Sequence, residues 1–150
     1  MRQARFRTHG AVLTILLAAV LGCGSLSANP SDVVKEFTLQ LPADIVSAGS
    51  VRLVLKGVSV PRNTPVVLRA RALEPEVALG SAGLVAESPA AAGPAVHSQV
   101  KIDITHALRR WQQKNRDATQ LKVRIVPYAG LEPIPQLEWS VESAQLEPAP

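Results

Sequence analysis

The sequence predicts an all-β fold: a jelly-roll-like antiparallel β-sandwich of six to eight strands with one short helix. Three observations carry this. Apolar residues recur at every second position in short segments, as in Phe37-Leu39-Leu41, Val51-Leu53-Leu55 and Leu121-Val123-Ile125, the spacing of strands with one buried face. Turn residues separate these segments, notably Pro42, Pro61-Arg-Asn-Thr-Pro65 and Pro127. Only after Thr105 does the spacing change to that of a helix, with Ala107, Leu108 and Trp111 on one side.

Residues 1–22 have the layout of an export signal, with Arg2, Arg5 and Arg7 before an apolar run from Ala11 to Leu21. The run is shorter than the roughly 20 residues a membrane span needs. Val20-Leu21-Gly22-Cys23 resembles the lipobox of bacterial lipoproteins. That resemblance implies that Cys23 becomes the first mature residue and is acylated, anchoring the chain to a membrane at about 0.8 kcal/mol per buried methylene. Gly24 in place of Asp after the Cys implies, on the same resemblance, the outer membrane, with the protein facing the periplasm. The alternative is cleavage after Ala28, which gives a soluble periplasmic protein. With a single Cys no internal disulfide can form, so packing must supply the stability. Loss of the three signal arginines leaves 13 basic against 12 acidic residues, and no basic balance remains that would point to nucleic acid.

Residues 23–32 read as a lipidated tether, 33–147 as one sandwich domain and 148–150 as a frayed tail. The first strand centres on Phe37 to Leu41, the second on Val51 to Val58 and the third on Val66 to Leu73. In Glu76 to Glu87, Gly80 and Gly83 indicate a bulge or a close backbone approach within a fourth strand. Ser88 to Val96 is a Pro-Ala-Gly-rich surface loop. His97 to Ile104 forms a fifth strand, and Thr105 then caps a helix ending near Asn115, its hydroxyl accepting from one of the first unpaired amides. A sixth strand runs from Leu121 until Pro127 stops it, and Leu137, Trp139 and Val141 mark a seventh.

The sequence offers little reactive chemistry. Two histidines, His97 and His106, remain after the signal, too few for a copper or zinc site of the usual kind. His97 and Asp103 lie six residues apart, about 20 Å along a strand, and cannot share an ion. There is no Gly-x-Ser-x-Gly elbow, Ser98 points away from His97, and Gly80-Ser-Ala-Gly83 lacks a phosphate-binding lysine. The expectation is therefore no enzyme, no metal and no cofactor. Phe37, Trp111 and Trp139 fall at inward positions, whereas Tyr128, in the loop from Pro127 to Pro133, is a candidate exposed contact residue. Arg109, Arg110, Lys114 and Arg116 form a solvated helix face, with an acidic partner or lipid headgroups as the functional alternative.

Three segments resemble the β-sandwich domain that follows the dicopper domain in polyphenol oxidases and bacterial tyrosinase-like proteins. They are Val51 to Pro61, Leu79-Gly-Ser-Ala-Gly-Leu84, and Ile102-Asp-Ile-Thr-His-Ala-Leu108 with Leu121 to Pro127. Across about residues 37–147 the resemblance implies a non-catalytic domain that packs against a copper domain. This chain lacks the family's histidine ligands, so it implies here a stand-alone accessory domain whose protein partner is a separately encoded oxidase. A second resemblance, to surface sandwiches and growth-factor propeptides with an Asp-Val-Thr-x5-Trp signature, rests on Asp103, Thr105 and Trp111 and implies a structural or adhesive role. An envelope hydrolase stands third.

Overall fold

The computed structural model describes residues 33–43, 45, 49–85 and 93–149. The segments read as an export signal and a tether, with Cys23 between them, lie outside the described residues, as do most of the loop before β5 and Pro150. The elements are β1 (Lys35–Gln40), β2 (Ser50–Val60), β3 (Val66–Leu73), β4 (Glu76–Leu84), β5 (Ala95–Asp103), α1 (Thr105–Lys114), β6 (Gln120–Ala129), β7 (Glu132–Pro133) and β8 (Ser143–Ala149). One sheet has the order β1-β6-β3-β4, with β7 also on β6, and the other β5-β2-β8. All pairings are antiparallel. The chain passes repeatedly from one sheet to the other, which makes the sandwich jelly-roll-like.

The alternation in the sequence is the cause of the layers. Val66, Leu68, Ala70 and Ala72 of β3 and Leu121, Val123 and Ile125 of β6 are buried facing β2 and β5, which supply Leu53, Leu55, Val100 and Ile102. At about 25 cal/mol per Å² of apolar area removed from water, this interleaved core is the main stabilising term. Gly80 behaves as its position predicts. The β3–β4 register shifts at Ala70/Arg71, opposite Gly80, and a Cβ on Gly80 would lie 2.7 Å from both the Asp103 carbonyl oxygen and Ile102 Cγ2. That approach brings the edges of the two sheets together.

Three expectations need correction. Pro127 does not end β6, which continues to Ala129. Its carbonyl accepts from Ile134 N–H at 3.0 Å, so its missing amide faces the gap between β1, paired only up to Ile125, and β7, paired from Tyr128. Leu137 to Val141 is not a strand. Ser140 makes an isolated bridge to Ser59, and Trp139 is buried from a loop with its indole N–H on the Val33 carbonyl at 2.7 Å. Of the segment read as a frayed tail, Pro148 and Ala149 are the end of β8, which pairs with β2 from Ser143 to Ala149, and Ala149 is buried.

Strand registers define two ends of the sandwich. Gln40, Ser50, Glu74, Asp103 and Gln120 gather at one, under α1. Val60, Val66, Leu84, Ala95 and Ala129 gather at the other. Val33, the first described residue, lies toward the second, where its carbonyl meets Trp139.

Candidate functional site

Asp103, Thr105 and Trp111 fix the helix end of the molecule. Ile104 occupies the N-cap position of α1 and supplies no side-chain cap, while Thr105 is the first helical residue. The expected capping role is thus replaced by a longer-range one. Val51 N–H donates to Thr105 Oγ1 at 2.9 Å, and Ile104 N–H donates to the Val51 carbonyl at 3.1 Å. The hydroxyl stands in for the carbonyl that β2 would have met had β5 continued, so the ladder survives one residue beyond the strand. Thr105 Oγ1 in turn lies 2.7 Å from Asp103 Oδ1, which also accepts from Thr105 N–H at 2.9 Å. These two donors hold the Asp103 carboxyl below its ordinary pKa, with smaller help from His106 and Arg52 against a little desolvation.

The helix then carries this anchorage to the other sheet. Ala107, Leu108 and Trp111 are buried, and Trp111 donates its indole N–H to the Glu74 carbonyl at 3.2 Å, in the turn between β3 and β4. One side of α1 therefore joins both layers. Its outer side carries His106, Arg109, Arg110, Gln113 and Lys114, all exposed, with Arg116 just beyond. The helix contains no acidic residue, and Asp117 is the only one before Gln120. Arg109 reaches back to the Gly49 carbonyl at 3.0 Å. Arg110 and Lys114 make no ion pair among the described residues.

Beside this basic face runs an open groove of about 620 Å³ between α1 and the chain leaving β1. Leu41, Pro42 and Ala118 give it apolar walls, and Arg109, Arg116 and Gln113 stand at its sides with one acid, Asp117. An apolar trough flanked by two cations against one acid, under a helix face that carries cations only, suits a segment with acidic side chains around an apolar anchor. The arginine row was visible in the sequence. The groove was not, because its two walls are some seventy residues apart.

The other sequence-singled residues lie elsewhere. Tyr128 is in β6, not a loop, and is half-buried, with the Arg69 guanidinium 4.1 Å from its ring centroid and donating to the Gly130 carbonyl at 3.0 Å. It is therefore less available than an exposed contact residue. On that outer sheet face Arg71, Lys122 and Arg124 pair with Glu76, Glu74 and Glu36. His97 is half-buried, and its Nε2 has no partner among the described residues. Among the described residues no three of His, Cys, Asp and Glu come together as metal ligands, and no helix is long and apolar enough to cross a membrane. The chain matches no protein-family model and no curated protein.

Proposed function

We propose that this chain is a non-catalytic accessory domain of the bacterial cell envelope that binds a protein partner through the outer face of α1 and the groove beside it. The observation that carries this is the one-signed charge of that face, four cations from Arg109 to Arg116 without an acid between them. An exposed patch of one sign steers an oppositely charged partner and fixes its orientation. The partner of choice is a separately encoded tyrosinase-like copper oxidase presenting an acidic surface. That identity is supported by the resemblance of Val51–Pro61, Leu79–Leu84 and Ile102–Leu108 to the sandwich that accompanies such enzymes. The protein is exported and acylated at Cys23, and it faces the periplasm from the outer membrane.

A photo-crosslinking amino acid in place of Gln113 tests this in living cells. A single adduct containing a copper oxidase, lost in R110E/K114E and not formed from Thr38 on the outer face of β1, is the expected result. Adducts that persist in the charge-reversed variant, or that never contain an oxidase, overturn the face and the partner respectively. A second reading, a structural or adhesive surface domain, is supported by the Asp103–Thr105–Trp111 clamp. It predicts that R110E/K114E is without effect and that only the fold matters.

A further inference from the structure

The surface of the described residues carries four exposed large apolar side chains: Val34 at 39 %, Val85 at 83 %, Val96 at 66 % and Leu131 at 85 % exposure. Singly, such residues are ordinary. Their placement is not. Val34 precedes β1, Val85 follows β4, Val96 is the second residue of β5 and Leu131 tips the turn between β6 and β7. Registers put Val85, Val96 and Leu131 at the same end, since Val66 pairs with Leu84, Val60 with Ala95 and Tyr128 with Pro133, while Val34, just before the Lys35–Ile125 pair, lies part-way along β6 on the way to it. Val33, the first described residue, lies toward that end too, held by Trp139. The helix end carries none of them.

From these positions we infer that the tether end of the sandwich rests on the bilayer, with Leu131, Val85 and Val96 entering the interfacial zone. The inference rests on the reading of Cys23 as the anchor. Only nine residues lie between Cys23 and Val33, and the ten steps from one to the other span at most about 35 Å of chain, so this end is held within reach of the lipid whatever else the domain does. Tethering raises the local lipid concentration enough for a few apolar side chains to matter, where a free domain with the same residues would bind marginally. Glu132 and Glu138 are exposed near this end, and Arg62 and Arg69 stand there too, their guanidiniums on the Gly93 and Gly130 carbonyls, so charges of both signs surround the apolar residues and the contact itself is apolar. The ten residues of β6 at about 3.3 Å each then set α1 roughly 30 Å above the membrane. The basic helix is thereby displayed outward, to a partner rather than to headgroups.

Single cysteines replacing Leu131, Val96 or Gln113 test this in the full chain, expressed in an exporting bacterium, labelled with an environment-sensitive fluorophore and reconstituted into vesicles of phosphatidylethanolamine with a minority of phosphatidylglycerol. The introduced thiol is the only free one whether Cys23 is acylated or removed. Labels at 131 and 96 should shift to the blue and be quenched by spin-labelled lipid at least ~3-fold more than the label at 113, as side chains in the headgroup–acyl boundary are. Equal quenching at all three sites overturns the inference. If the protein does not co-float with vesicles, the anchor reading fails instead. Saturating free lipid then decides the surface alone, because a true contact still quenches positions 131 and 96 and an inert end does not.

Discussion

Thr105→Val removes one hydroxyl and leaves the shape of the side chain intact, so its cost isolates what the hydroxyl does. In the wild type that oxygen accepts from Val51 N–H and meets Asp103 Oδ1, in a buried position. After the change Val51 N–H faces a methyl group in the interior, and an unsatisfied buried donor costs about 1–3 kcal/mol. Asp103 loses one of its two donors but is exposed and regains water, which adds little. The extra methyl returns less than about 1 kcal/mol of apolar burial, so the net loss should be about 1.5–2 kcal/mol. Urea titration followed by the fluorescence of Trp111 and Trp139 measures it as a lower midpoint at unchanged m, a shift of about 1 M for a domain of this size. Thr105→Ser keeps the hydroxyl and should lose about 1 kcal/mol or less. A Val variant within about 0.3 kcal/mol of wild type, or a Ser variant as unstable as the Val, refutes the substitution of hydroxyl for ladder carbonyl.

Asp103→Asn should change the acid limb of the stability curve. Its carboxyl is lowered in the folded state, so its contribution is present above the unfolded value near 3.9 and disappears as pH falls through the lower folded value. The wild type should therefore lose up to about 1 kcal/mol there that the Asn variant does not, measured by urea midpoints across that range, a small effect because the group is exposed. Trp111→Ala should cost about 3–5 kcal/mol, while Trp111→Phe, which loses mainly the bond to Glu74, should cost about 1–2 kcal/mol by thermal unfolding. Gly80→Ala should lose about 1–3 kcal/mol, since its Cβ meets the Asp103 backbone at 2.7 Å, and Gly83→Ala, with open space around it, should be tolerated.

The strands were legible wherever one face is buried and the other wet. β3 and β6 show this best, because each inward residue sits between two outward ones on a central strand. The change of period at Thr105 was equally plain. What escaped depends on partners far away in sequence. Nothing local says that Thr105 serves Val51, fifty-four residues earlier, rather than its own helix. Pro127 reads as a stop because prolines usually are one, and its tolerance comes from a gap between two other strands. Trp139 has strand-like neighbours in Leu137 and Val141, all three partly or fully buried, yet they belong to a segment whose backbone meets β2 only through Ser140 and Glu142 before β8 begins. β8 failed for the opposite reason, since Pro148 and flanking small residues disguise a strand whose pairing with β2 is complete.

The two tryptophans explain why the surface features proposed as functional are surplus to folding. Trp111 closes the core beneath α1 and gives its one polar atom to Glu74. Trp139 closes the other end and gives its own to Val33. Each plugs an end of a two-layer core, and each satisfies its indole N–H on a backbone carbonyl outside the strand ladders. With both ends sealed from within, neither the cations on the outer side of α1 nor the exposed Leu131, Val85 and Val96 are needed to keep water out. Arg110 and Lys114 on one helix repel each other at four-residue spacing, and exposed apolar residues invite association. Features that cost stability or solubility at both ends of an otherwise well-closed domain are where binding should be sought, and here the two ends differ in chemistry as a membrane side and a partner side would.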